Sequence, residues 1–549
     1  MGVHAVLIRT DISSYEQLIE EFKWSIPERL NLATEICDRH ASSTPLAAAI
    51  IEDIDGVVRK YTFADIKRLS DSLAHAFIEL GVCRGDRVVV SLGQDVEALL
   101  AHLACFKVGA ISVPVAGLYS GDGLAFRIND CEACLFITNR VGADKLSGLN
   151  LPSLRHTVVI QQKAVGSEVD FDSLLVGRDA EFMPVDTMAD EPAFIFYTSG
   201  TTGSPKGVLH AHRMARAHLP CVQLGFEMAP QIGDVFWTAS DWSWLGSLGD
   251  LVFPALFLGH PVVVTPGRFS VQRAYDVMQR HRISCPFLAT AVLRKMSKEP
   301  PLSEARFQVR AIMTGGEAMP PEVLKWARKA FDAPVNDEFG LTESNQTAVG
   351  CTSLYSTPSS SVGRIAPGKR VAIIDDEGIE LAPGVHGEIA IWHDSPSNML
   401  GYWNRPEQSA QKFVGGWMRS GDQGALDEHG YLYYFGRMDD LILVNGLRVG
   451  PEEVEAELLM HPAVAEAAVI GVPDDSSGAA IVAAVKLQEG IEGGDLLAEE
   501  LKGLVKRNLA AHCYPKRIVF VETIPVTSTG KVRRGEVRNS FIQPSQVLA

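Results

Sequence analysis

Between residues 64 and 115, stretches of helical spacing alternate with short apolar runs, and this alternation constrains the fold more than any other feature of the 549-residue chain. Residues 64–77 and 96–108 read as helices, 87–91 and 110–115 as strands. Repeated strand–helix–strand units build a largely parallel sheet covered by helices, so the N-terminal body is predicted to be α/β. More strands are expected at 157–160, 193–197, 261–264 and 309–313, with helices at 271–281 and 322–331. Ahead of them, residues 15–40 read as helix on either side of a break at Pro27, with Leu18, Ile19 and Phe22 on an apolar face. Beyond about residue 350, Gly/Pro turns and short strands at 370–374, 387–391 and 430–434 predict a β-rich subdomain.

After a junction at 436–450 the pattern restarts. Pro451 opens a helix with Glu452, Glu453 and Glu455 near its positive end. Strands at 465–472 and 479–487, a helix over 496–511 and a strand at 517–521 follow, which is enough for an independent α+β domain. The expected division is 1–438 and 439–549.

With 46% apolar and 21% charged residues the chain buries a large core, which excludes disorder. A formal charge of −17 disfavours sequence-independent binding to nucleic acid or anionic membrane. No apolar run reaches membrane-spanning length without interruption and the first residues do not read as a signal peptide, so a cytoplasmic protein without membrane insertion is expected. Nine scattered cysteines, with one Cys131-x-x-Cys134 pair and no second pair to complete it, do not read as a zinc site.

The segment Tyr197-Thr198-Ser199-Gly200-Thr201-Thr202-Gly203-Ser204-Pro205-Lys206-Gly207 leaves an apolar strand and suits a polyphosphate. Its glycines allow backbone N–H groups to approach an anion, its hydroxyls add donors, and Lys206 adds charge. The order of residues is not that of a Walker A loop, because Lys206 is followed by Gly207 rather than Ser or Thr.

Further motifs follow in order: Gly315-Gly316-Glu317-Ala318, Asp337-Glu338-Phe339-Gly340-Leu341-Thr342-Glu343, Ser420-Gly421-Asp422, Gly436-Arg437-Met438-Asp439-Asp440, and Pro525 with Gly530-Lys531. Together with the first loop they resemble the adenylate-forming superfamily of acyl-CoA synthetases, peptide-synthetase adenylation domains and luciferases, over essentially the whole chain, and most resemble short- and medium-chain acyl-CoA synthetases. The resemblance implies an ATP-dependent, AMP-forming acyl-CoA ligase in which a carboxylate attacks the α-phosphorus of ATP, pyrophosphate leaves, and the acyl-adenylate passes its acyl group to coenzyme A.

In that reading Thr198 to Gly203 and Lys206 hold the pyrophosphate. Gly316, Glu317, Ala318, Asp337, Glu338 and Phe339 form the adenine and ribose wall, Asp422 accepts from ribose hydroxyls, and Arg437 stands beside ribose and phosphate. Thr342 donates to the α-phosphate and Glu343 is the Mg²⁺ ligand. Lys531 is the catalytic lysine of adenylation, delivered by a mobile C-terminal domain that turns about Asp439. After rotation Asn445, Gly446 and Arg448 meet coenzyme A. The spacing from Pro525 to Lys531 also resembles a regulatory acetylation target.

Trp244, Leu245 and Gly246 match the acyl pocket of the family. Gly315 and Gly340 stand where acetyl-CoA synthetases carry valine and tryptophan, so the expected acid is larger than acetate: a medium-chain, branched or aromatic monocarboxylate. The same glycines also fit a purely structural use in tight turns. Two other readings remain open: a ligase loading a separate carrier protein, with Asp241 as the candidate partner of an amino group, and a non-catalytic nucleotide-binding scaffold. The oligomeric state is not legible.

Overall fold

A computed structural model describes residues 8–9, 11–178, 180–198, 205–301, 305–317, 319–358, 360–440, 442–444, 447–474, 478–509, 513–526 and 532–542. Three sheets organise it. An eight-stranded sheet runs in the spatial order 401–402, 206–211, 192–198, 111–114, 87–91, 135–138, 156–159, 169–170, and from 192–198 onward its pairs are parallel. A fourteen-stranded sheet is parallel where Ala48–Ile54, Val262–Val264, Phe236–Thr238, Cys285–Phe287, Ile312–Thr314 and Val335–Leu341 lie side by side. It turns antiparallel from the pairing of Val335–Leu341 with Asn345–Val349 onward, so the β-rich part is a continuation of the same sheet. Residues 442–520 supply a separate five-stranded sheet, closed by its own apolar core around Val469, Val485 and Leu501.

Local rules explain the best-formed helices. Phe63–Glu79 starts in a capping box, where Thr62 Oγ1 accepts from Asp65 N at 3.1 Å and Asp65 Oδ2 accepts from Thr62 N at 3.0 Å. Val96–Val108 is buried along nearly its whole length and stops at Gly109, whose φ of +75° is the left-handed cap that glycine adopts freely. Near its end Lys107 is fully buried, and its Nζ reaches Asp38 Oδ1 at 2.9 Å and Asp71 Oδ1 at 2.5 Å. The first segment departs from the expected apolar face, because in the short helix Tyr15–Glu21 Leu18 is buried and Ile19 is exposed. Among the described residues no helix is long and apolar enough to cross a membrane.

Removing Lys107 takes the paired cation from Asp38 in the interior and leaves Asp71 with Lys67 alone, at 2.7 Å. Lys107→Met is expected to destabilise the protein by about 3–5 kcal/mol in urea unfolding. A loss below about 1 kcal/mol contradicts a structural role for the triad.

Candidate active site

Two strands flank the polyphosphate-type segment. Pro192–Thr198 pairs antiparallel with Lys206–Ala211, with Thr198 opposite Lys206. Ser199, Gly200, Thr201, Thr202 and Gly203 lie outside the described residues. On the other edge of the hairpin, Gly401–Tyr402 adds a short antiparallel strand, with Tyr402 opposite Val208. This pairing brings three chemically distinct groups together. Lys206 Nζ sits 5.2 Å from the centre of the Tyr402 ring, and the Tyr402 hydroxyl donates to Glu343 Oε1 at 2.5 Å.

Glu343 follows the strand Val335–Leu341, and its backbone carbonyl accepts from Met399 N at 2.7 Å. Burial pushes its carboxyl up, but Lys412 at 3.6 Å, the Tyr402 hydroxyl and Arg437 outweigh it and hold the group below its ordinary value. Thr342 is fixed from the other side, where His210 Nε2 donates to its carbonyl at 2.7 Å. Burial brings the His210 imidazole down to about 4, so it is neutral at physiological pH.

The residues expected on the nucleotide wall come from neighbouring strand ends. Thr314 pairs with Asp337, which puts Gly315 and Gly316 beside Asp337, Glu338 and Phe339. Desolvation raises Asp337 to about 7, and its Oδ1 accepts from Glu338 N at 3.0 Å. Phe339 packs on Tyr434 with ring centres 5.6 Å apart, and Glu317 pairs with Arg294 at 3.0 Å. Asp422 lies opposite Arg437 across two strands, with Arg437 Nη1 at 3.2 Å from Asp422 Oδ1. Between Ser420 and Asp422, Gly421 has φ +81°, and a Cβ built there meets the Arg437 guanidinium at 2.9 Å. Ala318 lies outside the described residues.

On the acyl side, the Trp244 ring lies 3.4 Å from a Cβ built on Gly316 and 2.9 Å from one built on Gly246, while its centre is 5.5 Å from that of Phe287. Leu245 is buried beside it. The two glycines read as open space are occupied differently. Glu338 Oε1 fills the position beside Gly315, at 2.2 Å from a built Cβ, and Gly340 faces the Asn345–Gln346 backbone at 3.0 Å. Asp241 is exposed and its Oδ1 accepts from Ser243 N at 2.8 Å, so it turns its carboxylate to its own loop.

At the junction, Met438–Asp440 forms a single 3₁₀ turn. Ile442–Val444 and Leu447–Val449 pair beyond it, with Arg448 opposite Leu443. Asn445, Gly446 and Lys531 lie outside the described residues. The segment that contains Lys531 is bracketed by the Val526–Val532 bridge. Reading the sequence missed Tyr402, Lys412 and His210. None sits in a motif with a local spacing signal, and long-range strand pairing alone brings them to Thr342 and Glu343.

Lys206, Tyr402 and Glu343 thus come together at one hairpin, and Asp422 faces Arg437 on the strands that lead to the junction. The model of the AMP-binding enzyme family matches residues 37–403, and that of the AMP-binding enzyme C-terminal domain matches 453–531. The chain belongs to this family, among its AMP-forming acyl-CoA ligases. It is 31% identical to the acetyl-coenzyme A synthetase of Bacillus subtilis over 95% of this chain and 94% of that protein. The crystal structure of a Brucella canis acyl-CoA synthetase superimposes with a TM-score of 0.75 at 28% identity, covering 97% of this chain and all (100%) of that one. An anthranilate CoA ligase solved in complex with anthranoyl-AMP gives 0.85 at 25% identity, covering 94% and 98%.

Because Lys412 helps keep Glu343 ionised, Lys412→Met is expected to raise the pH at which Glu343 takes up a proton. In acid-dependent pyrophosphate release, the acidic limb of the pH–rate profile then moves to higher pH. An unmoved acidic limb contradicts this role for Lys412.

Proposed function

We propose that the protein joins a carboxylic acid to coenzyme A in two steps at one site, using ATP and releasing AMP and pyrophosphate. The observation that carries this reading is the meeting of Lys206, the lysine that ends the hydroxyl-rich segment, and Glu343 on Tyr402. A lysine that follows this loop supplies positive charge for departing pyrophosphate, and Thr342 supplies a donor near the α-phosphate. The donor set also suits Mg²⁺. Glu343, held ionised by Lys412 and Tyr402, offers a hard carboxylate, and the phosphates of the nucleotide would offer further oxygens. Bound there, the ion would neutralise phosphate charge.

The Asp422 carboxylate is suited to accept from ribose hydroxyls, with Arg437 holding it in place at 3.2 Å. Gly316, Glu317, Ala318, Asp337, Glu338 and Phe339 are read as the adenine side. The second domain, taken to begin at Asp439, is proposed to deliver Lys531 for adenylation and then to turn so that Asn445, Gly446 and Arg448 approach the thiol substrate. For the acid we favour a medium-chain, branched or aromatic monocarboxylate, held near Trp244, Leu245 and Gly246. Asp241 is engaged with its own loop, accepting from Ser243 N at 2.8 Å, and this favours an acid without an amino group.

Half-reactions separate this proposal from others. Lys531→Ala is expected to lower acid-dependent pyrophosphate release about a hundredfold to a thousandfold, while thioester formation from supplied acyl-adenylate and coenzyme A is retained. Equal loss in both steps contradicts the role given to Lys531.

A further inference from the structure

The helix Thr290–Lys298 is bonded at its start to the strand end expected to face the nucleotide, and at its end to the C-terminal domain. Thr290 N donates to Gly315 O at 3.3 Å, and Thr290 Oγ1 donates to Glu317 O at 3.2 Å. One turn further, Arg294 Nη2 meets Glu317 Oε1 at 3.0 Å. One turn beyond that, Lys298 Nζ donates to Ala465 O at 3.2 Å, in the strand Val464–Asp474 of the C-terminal domain. Residues four apart share a helix face, so a single stripe of side chains joins the two sets of contacts across about 12 Å.

The receiving strand is shaped for this contact. In its pairing with Gly478–Leu487, Val464 lies opposite Leu487 and Glu466 opposite Lys486, so Ala465 is the extra residue of a bulge and falls outside the register. A bulge turns the backbone of its extra residue out of the ladder, and here the Ala465 carbonyl accepts from the Lys298 ammonium. The neighbouring Glu466 is held in place by Lys486, with Nζ to Oε1 at 2.9 Å. A lysine in the last turn of a helix also suits the helix dipole, but that use requires no carbonyl from another domain. Lys298 is exposed, so replacing it leaves the cores of both domains intact.

A domain that serves two steps at one site is held in each orientation by contacts that the other orientation lacks. We propose that Lys298 is a positioning residue, which docks the C-terminal domain on the body in its present orientation through a helix whose other end is fixed to Gly315 and Glu317. A docking point bonded to the strand end at Gly315 and Glu317 sets the distance from that strand end to the domain more tightly than a surface loop would. When the domain turns, the ammonium gives up Ala465 O to water. The inference rests on the two-step ligase reading above and adds the residue that holds one of its two states.

The test measures both half-reactions on the full-length protein: acid-dependent pyrophosphate release without coenzyme A, and thioester formation from supplied acyl-adenylate and coenzyme A. Lys298→Met keeps the apolar stem and removes the ammonium. It is expected to slow one half-reaction at least about fivefold and to leave the other equal or faster, because a lost dock shifts the balance of two orientations. Lys298→Arg, which still donates, is expected to restore the ratio of the two rates. As a second measurement, Lys298→Cys with Glu466→Cys is joined by a short bis-maleimide, in a Cys83→Ser background that removes an exposed thiol. The joined protein is expected to retain one half-reaction and lose the other. Unchanged rates or equal losses in Lys298→Met, a cysteine pair that does not join, or a joined protein that runs both steps or neither overturns the dock, while AMP formation by the unaltered protein leaves the ligase intact. If the unaltered protein yields no AMP with any acid, the ligase reading itself falls and this inference with it.

Discussion

The site depends on keeping one carboxylate ionised where the fold has largely withdrawn water from it. Glu343 would be driven toward its neutral form by burial alone, and a neutral carboxyl binds neither a hard cation nor a lysine. Lys412 at 3.6 Å and the Tyr402 hydroxyl at 2.5 Å reverse that tendency. Everything else follows from where those two partners are anchored. Tyr402 is bonded through its strand to the strand Lys206–Ala211, and Lys412 donates to Ser420 O at 3.3 Å, beside the turn that carries Asp422. The charge on Glu343 therefore ties the strand that begins at Lys206 to the region facing Arg437.

Much of the architecture was legible from local pattern. The strand Arg87–Ser91 and the helix Val96–Val108 fall where spacing put them, because each is specified by its own apolar run and, for the helix, by Gly109 at its end. The strand expected over 309–313 begins later, at Ile312, since pairing with Val335 rather than β-branched content sets where it starts. The β-rich subdomain expected beyond about residue 350 is present, and its strands extend the large sheet; nothing in local sequence reports which sheet a strand joins.

The chemistry divides along the same line. Thr342, Glu343, Asp422 and Arg437 stand in motifs, and Asp422 lies opposite Arg437 in register. Tyr402, Lys412 and His210 come from strand pairings across long stretches of sequence and leave no spacing to read. The glycines show a different limit. Gly315 signalled room for a larger acid, yet Glu338 from the neighbouring strand takes that space, and Gly340 is needed for backbone approach to Asn345 and Gln346. A missing side chain identifies volume only after its neighbours are known.

The central claim is that this arrangement of charge activates an acid at the α-phosphorus of ATP. Phosphorus NMR of ATP turned over by the full-length enzyme with an accepted acid and coenzyme A reads it directly. The account predicts AMP and pyrophosphate in equal amounts, matched by thioester. ADP with inorganic phosphate as the products would contradict it.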